Sequence, residues 1–174
     1  VATEPGDGGS AEALLKNAGA AMSRAKKQGG NSVLFYVPDM DQRAAAQVTL
    51  QAELRRALER GERLLPYQPK VSLASGRVTG VEALMRWRHP ERGLVPPAQF
   101  IPTLEDSGLI VAAGEWAIGA ACAQARAWRD AGLPAVSVAV NLSARQFLDE
   151  DVHKVIEDAI ARSAIAPSLI EVEV

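Results

Sequence analysis

Glu82, Arg86, Asn141 and Glu173 are the side chains of this sequence whose types and positions could do phosphate or metal chemistry together. Val78, Val81, Ala83 and Leu84 read as a short, mostly buried strand, bounded by Gly80 on one side and His89-Pro90 on the other. Side chains alternate along a strand, so Gly80, Glu82, Leu84 and Arg86 are expected on one face. A carboxylate beside an apolar run is costly unless it meets a cation or a metal, and Arg86 offers a guanidinium at the strand end where a ligand phosphate could sit. Asn141 ends a second alternating run, Val136, Val138 and Val140 against Ser137 and Ala139. Glu173 falls in a last strand, Leu169 to Val174, where it shares a face with Glu171 opposite Ile170, Val172 and Val174. Oxygen donors from three successive strands suit a hard divalent cation such as Mg²⁺ or Mn²⁺, and no Cys/His zinc spacing competes. Acids at strand ends are common in barrels, so the triad alone does not single out a metal site.

The elements that must position these groups follow from periodicity and punctuation. Ala11 to Gln28 has helical spacing at Leu14, Leu15, Ala18, Ala21, Met22 and Ala25, with Ser10 as N-cap and Gly29-Gly30 as stop. A short strand, Ser32 to Val37, is expected next, and Pro38 to Gln47 reads as a boundary. Leu50, Leu54, Ala57 and Leu58 mark a helix ended by Gly61. Arg63 to Leu73 reads as one strand, irregular or at an edge because of Pro66 and Pro69, and 74–77 as the hairpin turn into the Glu82 strand. Arg88, His89 and Arg92 are expected in a solvated loop, with His89 structural, and 96–107 as loop and short helix. Ile118, Ala121, Cys122, Ala125 and Trp128 form one stripe of a long helix closed by Gly132 and Pro134. After the Asn141 strand comes a helix with Asp149 as candidate cap and Val152, Val155, Ile156, Ala159 and Ile160 inward. Strand, helix, strand, helix, strand is the pattern of a parallel sheet with crossover helices. In barrels built this way the site gathers at the C-terminal ends of the strands, where Glu82, Asn141 and Glu173 fall.

The chain has 174 residues, 48% hydrophobic and 23% charged, which is enough to bury a core. A formal net charge of -2 argues against binding a nucleic-acid polymer, so any phosphate contact is local. The longest apolar run, Leu109 to Ala125, is interrupted by Gly114, Glu115 and Gly119, so no membrane contact is expected from this segment. The lone cysteine, Cys122, makes no disulfide framework and reads as a small buried apolar residue. With no signal-peptide pattern the expected location is the cytoplasm, although a longer protein carrying this segment could be membrane-anchored upstream. A start at Val1 and an end inside a strand lead to the expectation of a fragment.

One long motif makes the sequence recognisable. Glu82-Ala83-Leu84-Met85-Arg86-Trp87-Arg88-His89-Pro90, then Gly93-Leu94-Val95-Pro96-Pro97 and Phe100-Ile101-Pro102, closely resembles the EAL family of cyclic-di-GMP phosphodiesterases. Tyr67-Gln68-Pro69-Lys70 upstream and Val140-Asn141-Leu142-Ser143 downstream stand in the family's order and spacing. The helix with Ala25-Lys26, the Gly29-Gly30 turn, Asn31 and the strand after it resemble the end of a GGDEF diguanylate cyclase domain, with Ser23 where that family usually has an aromatic residue.

These resemblances imply an α/β fold, the first half of a (β/α)8 TIM-type barrel, preceded by a short α+β tail. The domain division is then 1–38 for the tail, 39–47 for a linker and 48–174 for the N-terminal half of an EAL domain. The implied activity is hydrolysis of one phosphodiester of cyclic-di-GMP to the linear dinucleotide, the alternative being a degenerate domain that binds cyclic-di-GMP without cutting it. Metal ligation carries over onto Glu82, Asn141 and Glu173, with Glu82 also the catalytic residue. Gln68, Leu84 and Arg86 carry over as substrate contacts, and Glu171 as a non-ligand acid paired with a neighbouring charge. A homodimer through the EAL domain is the expected assembly. The lysine, the glutamate and the acidic pair that complete the family's machinery lie past Val174, so this segment alone is expected to be inactive.

Overall fold

The computed structural model describes residues 1–27, 29–148 and 151–174. Gln28, expected to end the first helix, and Asp149, expected to cap a later one, lie outside them. The chain divides into two compact units, Val1–Ala52 and Glu53–Val174.

In the first unit, α1 (Ala11–Lys27) starts where Ser10 Oγ accepts the Ala13 N–H at 3.2 Å, as the cap residue requires, and buries Ala21 and Ala25. The strand expected at Ser32 to Val37 does not form. Those residues are tied to Val1, whose ammonium donates to the Leu34 carbonyl at 2.6 Å and whose carbonyl accepts from Tyr36 N–H at 2.7 Å. Two bonds to one residue make no ladder, and Val33 and Phe35 stay exposed. Helix α2 (Asp39–Arg60) runs across the division between the units. It includes 39–47, which the sequence reads as a boundary and linker, and it stops at Gly61, whose φ of 67° is the left-handed geometry a helix end favours.

The second unit opens with a long hairpin that changes sheet partway along. Strands β1 (Arg63–Leu64) and β2 (Tyr67–Val71) lead to the turn, and β3 (Val78–Ala83) and β4 (Arg86–His89) return. β2 pairs antiparallel with β3, and β1 pairs antiparallel with β4. The crossing sits at Leu65-Pro66 on one arm and Leu84-Met85 on the other, where Leu84 N–H still donates to the Pro66 carbonyl at 2.9 Å. Proline cannot donate to a ladder, which accounts for Pro66 at the break. The single strand expected from Arg63 to Leu73 is thus two. Arg86, expected to continue the alternation from Glu82, belongs to a different strand and sheet.

β4 goes on to β5 (Gly93–Val95), giving a three-stranded sheet in the order β1-β4-β5 where a solvated loop was expected. Trp87 is 2% and His89 7% exposed. His89 Nδ1 accepts the backbone N–H groups of Glu91 and Arg92 at 3.0 and 3.1 Å and so shapes the turn.

Helices α3 (Pro97–Ser107) and α4 (Ile110–Asp130) follow, then β6 (Ser137–Asn141), the short α5 (Ala144–Phe147), α6 (Val152–Ser163) and β7 (Ile170–Glu173). The main sheet runs β2-β3-β6-β7, with β3-β6 and β6-β7 parallel. This is the right pattern for strands joined by crossover helices, the opening part of a TIM-type barrel. One face of the sheet, Val81, Ala83, Val138 and Val140, packs on Ala117, Ile118, Ala121, Cys122 and Ala125 of α4 and Val152 and Ala159 of α6. Burying a side chain such as Ile118, 1% exposed, contributes about 1.5–3 kcal/mol, so this layer is what fixes strand parity. The polar residues of the same strands are left on the other face.

Candidate functional site

Strand register places the expected site residues in rows on that second face. Gln68 on β2 lies opposite Glu82 on β3, and Glu82 opposite Ala139 on β6. One step further along, Asn141 on β6 lies opposite Glu173 on β7. Because Val81, Ala83, Val138 and Val140 must face the helices, period-two alternation sends Glu82, Asn141 and Glu173 the other way, near the C-terminal ends of parallel strands.

Asn141 Nδ2 donates to Glu82 Oε1 at 2.8 Å. Leu142 N–H donates to the Glu173 carbonyl at 2.7 Å, which fixes the end of β6 against β7. Among the described residues no three His, Cys, Asp or Glu side chains converge by themselves. The candidate set is two carboxylates and one amide, all oxygen donors, which fits a hard divalent cation.

Lys70 closes the Tyr67-Gln68-Pro69-Lys70 run on β2. Its Nζ reaches Glu171 Oε2 at 2.6 Å and Glu173 Oε1 at 3.4 Å, so it pairs with the acid expected to have a charged neighbour. The Glu171 hydrogen bond holds the Lys70 pKa above its ordinary value; Lys70, with help from Ser137, holds that of Glu171 below the usual carboxylate range. A signal was present in the sequence: Gln68 and Lys70 share strand parity.

Leu84 and Arg86 emerge beside this row at the crossing of the hairpin. With Asn141 and Ser143 they line a cavity of about 290 Å³, whose wall includes Ile101 and Glu105 of α3 and Gly114 of α4. Arg86 Nη1 donates to the Met85 carbonyl at 2.9 Å, which pins one arm of the half-buried guanidinium. Arg92, by contrast, pairs with Glu53 and lies over the Trp87 ring, 5.3 Å from its centroid. The two cations, one at the start of β4 and one in the turn after it, thus sit in different settings.

The loop after Asn141 is held by a capping box. Ser143 Oγ accepts from Gln146 N–H at 3.3 Å, and Gln146 Oε1 accepts from Ser143 N–H at 3.1 Å. Gln146 is 4% exposed and lies against Gly114, where an added Cβ would stand 1.7 Å from Gln146 Nε2. Ser143-x-x-Gln146 is legible as a cap signature in the sequence.

Comparison with known proteins places this geometry among relatives. The EAL domain family model matches residues 51–174. The bifunctional diguanylate cyclase/cyclic di-GMP phosphodiesterase MucR of Pseudomonas aeruginosa is 45% identical over 174 residues, all of this chain and 25% of that protein. The cyclic di-GMP phosphodiesterase PdeR of Escherichia coli is 39% identical over 160 residues, 92% of this chain and 24% of its own length. This chain thus spans about a quarter of the length of these relatives. A solved structure of the PaMucR phosphodiesterase in complex with c-di-GMP aligns with a TM-score of 0.70 and 46% identity, covering 72% of this chain and 51% of that one.

Proposed function

The chain belongs to the EAL domain family, and from that membership we propose that it forms part of a metal-dependent phosphodiesterase that opens cyclic-di-GMP to its linear dinucleotide. The observation that carries this reading is the row of Glu82, Asn141 and Glu173, oxygen donors aligned on one face of parallel strands with Asn141 already bonded to Glu82. These three would hold the divalent cation, Mg²⁺ or Mn²⁺. When bound, such an ion supplies positive charge for the phosphoryl oxygens and makes a water acidic enough to attack near neutral pH.

This chain's own residues do the positioning. Arg86 presents a planar fork to a phosphate at the edge of the cavity, with one nitrogen braced on the Met85 carbonyl. Leu84 gives the cavity an apolar wall beside that fork, and Gln68, across from Glu82, supplies an amide to the dinucleotide. Relatives whose names carry cyclic-di-GMP phosphodiesterase activity support the substrate class.

We extend the reading to the first unit, which we assign to the end of a GGDEF domain followed by a linker, with the EAL part from about residue 48. The alignment with MucR along the whole chain supports this. No helix among the described residues is long and apolar enough to cross a membrane, and the proposed setting is the cytoplasmic side, with the EAL domain pairing as a homodimer. Turnover of cyclic-di-GMP by the complete domain, with and without Mg²⁺ or Mn²⁺, tests the activity. Metal-dependent release of the linear dinucleotide is expected. Binding without any turnover would overturn the enzyme reading in favour of a receptor.

A further inference from the structure

We propose that Glu171 is a positioning residue that holds Lys70 off the carboxylate of Glu173, keeping Lys70 from competing with a divalent cation there. The inference rests on reading Glu173 as a metal ligand. Lys70 leaves β2 opposite Gly80 and passes over β3 and β6 to reach β7. That lane exists because Gly80 has no side chain: a Cβ there would stand 3.2 Å from Lys70 Cε and 2.6 Å from Ser137 Oγ. At its end the ammonium meets two carboxylates two residues apart on one strand face. It takes Glu171 at 2.6 Å, a charge-assisted bond of full strength, and touches Glu173 only at 3.4 Å.

The preference has a structural cause. Glu171 lies opposite Ala139, which has no polar group to claim it, whereas Lys70 reaches it at 2.6 Å. Glu173 lies opposite Asn141, in the row of the proposed ligands. An ammonium and a divalent cation seek the same oxygens, and the lysine stem is long and mobile enough to serve either acid. With the Glu171 charge gone, the nearest remaining acid for Lys70 is Glu173. The donor that Glu171 had retained would then occupy a ligand oxygen that the cation must win.

The test is direct binding of Mn²⁺ to the complete EAL domain without substrate, read from the electron paramagnetic resonance signal of the free ion. Glu171→Gln is expected to weaken Mn²⁺ binding about tenfold when Lys70 is present, and less than about threefold in a Lys70→Met background, because the two residues act as one unit. Lys70→Met alone is expected to bind Mn²⁺ at least as tightly as the parent. Unchanged binding by Glu171→Gln overturns the inference. So does an equal loss in both backgrounds, which would mean that Glu171 acts only through its own charge. Glu173→Gln, measured alongside, reports the premise separately: parent-like Mn²⁺ binding by that variant removes Glu173 from the ligand set.

Discussion

Asn141 and Glu82 lie 59 residues apart in sequence, yet the Asn141 amide donates to the Glu82 carboxylate at 2.8 Å. The contact spans neighbouring parallel strands and exists because Val140 and Ala83, the residues beside them, are committed to the helix layer. Burial on one face thus decides chemistry on the other. A one-residue slip of either strand would send its polar side chain into the core, where an unpaired polar group costs about 1–3 kcal/mol.

Arg86 and Arg92 provide an internal control for phosphate recognition. Arg86 lines the cavity beside Asn141, whereas Arg92 is held by Glu53 and Trp87. In the complete domain, Arg86→Lys keeps the charge but loses the planar fork. It is expected to lower kcat/KM for cyclic-di-GMP by about 10–100-fold, with Arg92→Lys within about threefold of the parent. Equal losses in steady-state kinetics would remove Arg86 from the phosphate contacts.

The fold was legible wherever one face of an element is buried. The α4 stripe through Ile118, Ala121, Cys122 and Ala125 and the alternation at Val138 and Val140 were readable because a buried layer imposes them. The hairpin's change of sheet was not, since alternation through Glu82, Leu84 and Arg86 looks continuous in sequence; only Pro66, on the opposite arm, hinted at a break. Ser32 to Val37 has a strand's composition but joins no sheet among the described residues, and composition cannot supply a strand to pair with. In the site, parity around Glu82, Asn141 and Glu173 is readable strand by strand, and the sheet order is what brings the three to one face. The reach of Lys70 to β7 was not readable, because it depends on sheet order and on the empty position at Gly80.

Gly114→Ala tests the support of the Asn141 loop. Alanine gains about 1 kcal/mol of helix propensity, but its Cβ would press on buried Gln146 and break the Ser143 capping box. Crowding a packed site costs about 1–3 kcal/mol, so net destabilisation is expected in urea unfolding of the complete domain. Gln146→Ala in the same chain should recover part of it. A Gly114→Ala domain as stable as its parent would mean that Gln146 yields freely and does not support the loop.

Tyr67 gives a pH signature of the core. Its ring packs edge-on to Trp128 at 4.9 Å, and burial, with the neighbouring Cys122 adding to it, pushes the phenol up to about 12. The unfolded chain gives up this proton near pH 10, while the folded chain holds it to about pH 12. The contribution is therefore complete below pH 10 and is lost as pH rises through that window, by at most ~2 kcal/mol after solvent screening. Unfolding free energies measured between pH 9 and 12 should fall less steeply for Tyr67→Phe. Parallel curves for the two proteins would place the phenol in water.

Glu82→Gln is the most direct measurement of the central claim. The change keeps the side chain's volume and one oxygen, and removes the charge that a hard cation needs. In the complete domain, cyclic-di-GMP turnover followed across a Mn²⁺ titration is expected to fall by about 10³-fold or more, with dinucleotide binding retained in part through Arg86 and Gln68. Near-parent turnover with the parent's metal requirement would contradict the assignment of Glu82 to the catalytic centre.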